Sequence, residues 1–386
     1  MSAPDWQAGG FGVYVHWPFC LAKCPYCDFN SHVSRDVDHA AWADALVAEM
    51  RHMRDLSGPR PADTMFFGGG TPSLMASETV GRLIEEADRL WGLAEGAEIT
   101  LEANPTSVEA AKFRAYAGAG VNRVSMGVQA LNDADLKALG RMHTASEARA
   151  AFDVARGAFR RVSFDLIYAR MGQTPAAWEA ELRAALGMAV DHLSLYQLTI
   201  EEGTRFFDLH RRGRLSVPGD EAAAEMFAIT RAMTAAAGMP AYEVSNHAGP
   251  GAESRHNLVY WRAGDYAGVG PGAHGRITRP DGVRVATATA RDPAGWMAGV
   301  ARAGHAMVEA TPLIPAERGD ELVLMGLRLA EGIDLARHAA VAGAPIAADR
   351  IAALEAAGLV VLRGSRLVAT PQGVLLLDRV IGDLLA

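Results

Sequence analysis

Short β-rich runs of apolar residues recur from residue 11 to about 200, and Ala-rich stretches with a helical apolar period lie between them. The pattern predicts strands over 12–17, 64–67, 98–102, 123–128, 161–167 and 192–199, with helices over 38–56, 78–90, 108–119 and 176–188. Alternation of this kind is the pattern of a parallel sheet, because each parallel crossover needs an element between its strands. Six βα units are too few to close an eight-fold barrel, so the chain is expected to form a partial, open one.

After residue 200 the rhythm changes. A helix over 220–237 leads to a segment at 242–245 and then to a Gly/Pro-rich stretch over 249–280. Further on, helices over 317–329 and 347–357 precede two short strands, 359–362 and 367–370, around a Gly364-Ser365 turn, and a last helix follows. Helices followed by a hairpin suggest a mainly helical, winged-helix-like module. The expected division is therefore 1–240, a connecting segment over 241–312, and a C-terminal domain over 313–386.

Composition narrows the function. Half of the 386 residues are hydrophobic, enough for a large core. The net charge is −8 with acids and bases mixed, and no basic stripe accompanies the hairpin, which argues against nucleic acid as a partner. No basic stretch followed by an apolar run opens the chain, and no apolar run reaches the ~20 residues of a membrane span. A cytoplasmic protein without a transmembrane segment is expected. The three cysteines fall within eight residues, an odd number that makes a disulfide framework untenable and fits a reducing compartment.

Those cysteines, Cys20, Cys24 and Cys27, have C-x3-C-x2-C spacing just after the first strand. Thiolates in a loop of this length suit an iron–sulfur cube, and three of them leave the fourth iron open. An open iron can chelate the amino and carboxylate groups of S-adenosylmethionine (SAM), and electron transfer into that ligand yields a 5′-deoxyadenosyl radical. The competing readings are a zinc site completed by His16 or His32, and three free structural thiols.

In parallel α/β sheets the carboxyl ends of the strands carry the chemistry. Here the second strand runs into Gly68-Gly69-Gly70-Thr71-Pro72, where missing side chains let backbone approach a ligand. The third ends at Glu102, which can accept from hydroxyls or an ammonium group, and the fourth ends at Gln129. Arg141 follows, suited to a carboxylate, and Asp165 lies within an apolar run where an acid needs a partner.

The residues Tyr14-Val-His16-Trp-Pro-Phe-Cys20, the glycine triplet, Leu101-Glu102-Ala-Asn-Pro105, Gly127-Val-Gln129, Asp165-Leu-Ile-Tyr168 and Ser194-Leu-Tyr-Gln-Leu-Thr199 resemble the radical SAM proteins related to oxygen-independent coproporphyrinogen III oxidase. The resemblance implies a partial (β/α)6 TIM-like radical SAM barrel with a C-terminal, mainly helical domain. By motif, it implies a [4Fe–4S] cluster on the three cysteines and SAM contacts from Tyr14, Tyr26, Gly69, Gly70, Thr71, Glu102, Gln129, Arg141, Asp165 and Thr199.

Within that family, Arg255-His256-Asn257-Leu258-Val259-Tyr260-Trp261 and Gly268-Val-Gly-Pro-Gly-Ala-His274-Gly resemble the heme chaperones. The oxidases have a fourth cysteine where this chain has Phe29, and a longer N-terminal extension than the nineteen residues preceding Cys20. Met171 stands where the family usually has proline. Heme would then be held by His256, the commonest kind of protein ligand for its iron, with Tyr260 as a second candidate ligand. The alternative for His256 is a buried histidine bonded to a backbone carbonyl. His16 and His274 are expected to line the SAM cavity.

Two functions follow. One is a carrier that binds heme and passes it to an acceptor protein, its cluster served by an electron donor. The other is the oxidative decarboxylation of coproporphyrinogen III. No catalytic side chain is assigned under either.

Overall fold

The computed structural model describes residues 4–386. Six strands run in the expected places: β1 (Phe11–Trp17), β2 (Ala62–Gly69), β3 (Leu93–Ala103), β4 (Arg123–Gln129), β5 (Arg161–Tyr168) and β6 (His192–Gln197). They pair in parallel in that order, so all their carboxyl ends meet one edge of the sheet.

The sheet continues past them. β7 (Asn246–Ala248) closes one side antiparallel to β6. On the other side β8 (Asp265–Val269) adds parallel to β1. β9 (His274–Thr278), β10 (Arg284–Thr289) and β11 (Met307–Pro312) then extend it antiparallel, giving eleven strands. The Gly/Pro-rich stretch over 249–280 thus carries two of these strands. Its glycines serve close packing as well as turns: a Cβ on Gly268 would fall 2.0 Å from the His274 carbonyl oxygen, and one on Gly270 would fall 2.3 Å from that of His16.

α1 (His39–Ser57) shows how the helices fasten the sheet. Asp38 caps it by accepting from the Ala40 and Ala41 amides at 3.1 and 3.0 Å, and Gly58 ends it at a positive φ of 68°. Its buried face presents Trp42, Leu46, Met50 and Met53, at helical spacing. Glu49 lies on the same face. Its carboxylate accepts from the Gly270 amide (2.7 Å), the Ala306 amide (2.8 Å) and Trp296 Nε1 (2.9 Å), which fixes the turn after β8 against the helix. The helix expected over 108–119 is instead two short pieces, Ser107–Ala110 and Phe113–Gly118.

The C-terminal residues form a second hydrophobic cluster, with Val323, Leu327, Ile351, Leu354, Val380 and Leu384 among its members. Helix Pro315–Gly326 leads to β12 (Ile333–Asp334), helices Leu335–Ala342 and Ala348–Ala356 follow, and β13 (Val360–Arg363) and β14 (Arg366–Ala369) form a hairpin whose second strand pairs with β12, making a three-stranded sheet. Among the described residues no helix is long and apolar enough to cross a membrane.

Replacing Glu49 by leucine leaves three buried N–H donors without an acceptor. The expected cost is about 3 kcal/mol, seen as a lower urea midpoint. An unchanged midpoint would mean that the turn after β8 is held by other contacts.

Candidate functional site

The three cysteines lie in the loop that leaves β1. This loop is cinched at its ends, where Phe19–Cys20 pairs with His32–Val33 and the His32 amide donates to the Pro18 carbonyl at 2.7 Å. The Gly69-Gly70-Thr71 turn packs beneath it. A Cβ on Gly70 would stand 2.8 Å from the Phe19 carbonyl oxygen, and one on Gly69, at φ 111°, would stand 2.6 Å from the His16 ring, so neither position accepts a side chain.

Polar groups surround the sulfurs. Thr71 Oγ1 donates to Cys20 Sγ and Arg141 Nη1 to Cys24 Sγ, each at 3.3 Å, while Ser31 Oγ is 4.0 Å from Cys27 Sγ. Burial pushes the Cys20 and Cys27 thiols up, and the hydrogen bonds beside them act in the opposite direction.

The thiols face a chamber of about 150 Å³. Tyr26, Gly69, Gly70, Thr71, Glu102, Gln129, Arg141 and Asp165 line it too, so eight of the ten residues expected to hold SAM meet there. Thr199 does not: β6 ends at Gln197, and Thr199, two residues on, is exposed and lines neither this chamber nor its neighbour. Tyr14 lines the neighbouring cavity, as do His16 and His274, which were expected in the SAM chamber. They stand at the wall shared by the two spaces or beyond it.

Several features of the chamber suit a polar ligand. Gln129 has a positive φ of 71° and follows a register shift in β4, so the strand bends to aim its side chain. Its buried Oε1 has no hydrogen-bond partner among the described residues, and neither does Arg141 Nε. The other end of the Arg141 guanidinium is fixed: Nη2 donates to Asn104 Oδ1 at 2.6 Å and to the Gly127 carbonyl at 2.8 Å.

Two buried carboxyls share the floor. Burial, and then the nearby Asp165, push Glu102 up to about 8, although the Gly69 amide donates to it. Asp165 rises to about 6 through burial, opposed by hydrogen bonds from Ser194 and Ser125 and by Arg123.

Sequence reasoning did not single out Asn104 or Arg123. Asn104 Nδ2 donates to Thr71 Oγ1 at 3.2 Å, so this residue joins Arg141 to the glycine turn. Arg123 is buried at the start of β4, donates to Ser163 Oγ at 2.9 Å and lies 4.0 Å from Glu98. An arginine opening an otherwise apolar strand was the available signal.

The zinc alternative finds no support in the histidines. His16 Nε2 donates to the Asn30 carbonyl at 2.9 Å, so its Nδ1 is the acceptor for the Tyr14 hydroxyl at 3.0 Å, and both nitrogens are engaged. His32 Nε2 is 3.3 Å from Asn30 Oδ1. Among the described residues no three His, Cys, Asp or Glu side chains converge closely enough to hold a single metal ion. The three thiols line the wall of the chamber together.

Behind the chamber lies a cavity of about 690 Å³, and Gly69, Glu102, Ser125 and Asp165 line both spaces. His256 stands in its wall on helix Arg255–Trp261, which Ser254 caps. Its ring stacks on Phe66 (centroids 5.0 Å, 25°) and, further off, on Tyr14 (6.4 Å, 29°). Thr64 Oγ1 lies 2.8 Å from Nδ1, and among the described residues Nε2 has no hydrogen-bond partner. The alternative of a ring bonded to a backbone carbonyl is therefore not what is found. Burial, and secondly Arg123, lower His256 to about 3, which keeps the imidazole neutral. Tyr260 lines the same cavity one helical turn on, its ring centroid 6.5 Å from that of His256.

The chain matches the Radical SAM superfamily over residues 14–185 and the HemN C-terminal domain over 313–376. It is 38% identical to the heme chaperone HemW of Mycobacterium tuberculosis over 382 residues, 97% of this chain and 95% of the relative. It belongs to the HemW family of radical SAM proteins. The HemW of Escherichia coli is 41% identical over 302 residues, 78% of this chain and 79% of that protein. A bovine relative, the mitochondrial radical S-adenosyl methionine domain-containing protein 1, is 44% identical over 326 residues, 83% and 74% of the two chains.

Coproporphyrinogen III oxidase (HemN) from E. coli superposes with a TM-score of 0.80 at 23% identity, covering 98% of this chain and 92% of its own, which shows a shared fold. Radical SAM membership implies a [4Fe–4S] cluster and SAM, and the thiol chamber fits both through its three sulfurs and its unpartnered Gln129 oxygen.

Glu102 and Asp165 take up protons more readily in the folded chain than in the unfolded one. The stability these two groups contribute is therefore greatest at acid pH and falls as the pH rises from about 4.5 to about 8 for Glu102, and from about 3.8 to about 6 for Asp165. Buried histidines such as His256 act in the opposite direction, so the comparison is with a variant: without cofactors, the wild type is expected to lose more urea midpoint, or gain less, between pH 6 and pH 8 than Glu102→Gln does. An equal difference in the variant would contradict the assignment.

Proposed function

We propose that this chain is a heme chaperone that binds one heme per chain and passes it to an acceptor protein, on a scaffold that keeps a [4Fe–4S] cluster and SAM. The observation that carries the reading is the position of His256: a neutral imidazole in the wall of a 690 Å³ cavity, adjoining the thiol chamber, in a HemW-family chain. A cavity of this size suits a ligand as large as a porphyrin.

In this reading Cys20, Cys24 and Cys27 hold the cluster. Tyr26, Gly69, Gly70, Thr71, Glu102, Gln129, Arg141 and Asp165 hold SAM, with Tyr14 beside them. Arg141 takes the SAM carboxylate, and the Gln129 oxygen accepts from a donor on the same ligand. The pair supplies one-electron radical chemistry when bound, which calls for an electron donor. His256 ligates the heme iron through Nε2 while Thr64 fixes the ring from Nδ1, and Tyr260 is the second candidate ligand.

Residues 1–240 then serve the cluster and SAM, 241–312 the heme, and 313–386 form the winged-helix-like module. A reducing compartment such as the cytoplasm suits three unpaired cysteines.

Titration of the anaerobically reconstituted chain with hemin tests this. A Soret shift saturating near one heme per chain is expected, and in His256→Ala the affinity should fall about tenfold or more. Because His256 is neutral down to about pH 3, its own protonation should contribute no change in affinity between pH 6 and 8. No saturable binding, or turnover of coproporphyrinogen III with SAM and an electron donor, would overturn the chaperone reading.

A further inference from the structure

The 690 Å³ cavity is electrically uneven. The carboxyls of Glu102 and Asp165 line both it and the thiol chamber. Its two arginines differ in kind. Arg123 is buried and committed, 4.0 Å from Glu98 and bonded to Ser163. Arg291 is exposed at the edge of the cavity and has no ion-pair partner among the described residues.

Its backbone is nonetheless fixed. Asn30 Nδ2 donates at 2.9 Å to the carbonyls of both Arg291 and Pro271, and the Gly272 amide donates to Ala290 at 2.9 Å. A Cβ on Gly272 would stand 2.6 Å from Asn30 Nδ2, so the glycine is what lets these three segments close on one another. His274 is exposed beside them on the next strand, opposite Ala288, and lines the same space. Asp28 is the one acid on this rim, exposed and solvated.

We propose that Arg291, with His274 beside it, is a carboxylate-binding site at the cavity mouth that takes the propionate edge of the tetrapyrrole. The proposal rests on the heme reading above and adds the orientation. The carboxylate of Asp165 in the lining disfavours an anionic edge beside it, while the guanidinium at the mouth offers charge-assisted hydrogen bonds to that edge. Heme therefore enters with its apolar edge first and keeps its propionates toward solvent. Arg291 is a recognition residue and takes part in no bond change.

Hemin and hemin dimethyl ester, in which both propionates are neutral, separate this from other roles when titrated in one detergent-containing buffer into wild type, Arg291→Ala and Arg291→Lys. Arg291→Ala should weaken hemin about five- to tenfold, leave the diester unchanged, and be partly rescued by lysine. Equal hemin affinity in wild type and Arg291→Ala would overturn the proposal, as would equal losses for hemin and the diester, which mark a merely structural role. Absence of saturable binding of either ligand to the wild type would overturn the heme reading itself.

Discussion

Parallel pairing constrains everything else in this molecule. Seven neighbouring strands run the same way, so the loops leaving their carboxyl ends must share one edge of the sheet. The thiols arrive there after β1, the glycine turn after β2, Glu102 and Asn104 at the end of β3, Gln129 at the end of β4 and Asp165 within β5. No long-range device is needed to gather them. The remaining problem is local: a cluster loop, a glycine turn and an arginine must come within hydrogen-bond distance without collision, and the missing side chains of Gly69 and Gly70 make room.

The two spaces at that edge are distinct in chemistry and continuous in lining. The thiol chamber is small, polar and provided with an unpartnered amide oxygen. The larger cavity is walled by aromatic rings, among them Tyr14, Phe66, Tyr260 and Tyr266, with a neutral imidazole between them. Tyr14 touches both functions: its hydroxyl donates to His16 beside the cluster loop and its ring stacks near His256.

Much of this was legible from residue patterns. The six barrel strands, the long helices and the C-terminal hairpin follow from hydrophobic periodicity, which reports burial directly. Eight of ten expected SAM residues meet around the chamber because strand ends are fixed by the same periodicity. What escaped has physical causes. β8 and β9 lie in a Gly/Pro-rich stretch without a regular apolar period, where Gly268 and Gly270 admit close backbone contact. Thr199 was placed on a strand that stops at Gln197, so it turns to solvent. Arg123 and Asn104 act through partners distant in sequence, Ser163 and Arg141, which no local pattern reports.

The central claim is that heme lies inside the barrel cavity against His256, next to the thiol chamber. A crystal structure of the anaerobically reconstituted chain with heme bound tests it most directly. The account predicts iron at ligating distance from His256 Nε2 and the porphyrin among the aromatic walls. Heme bound on the outer surface, or within the cavity but away from His256, would contradict it.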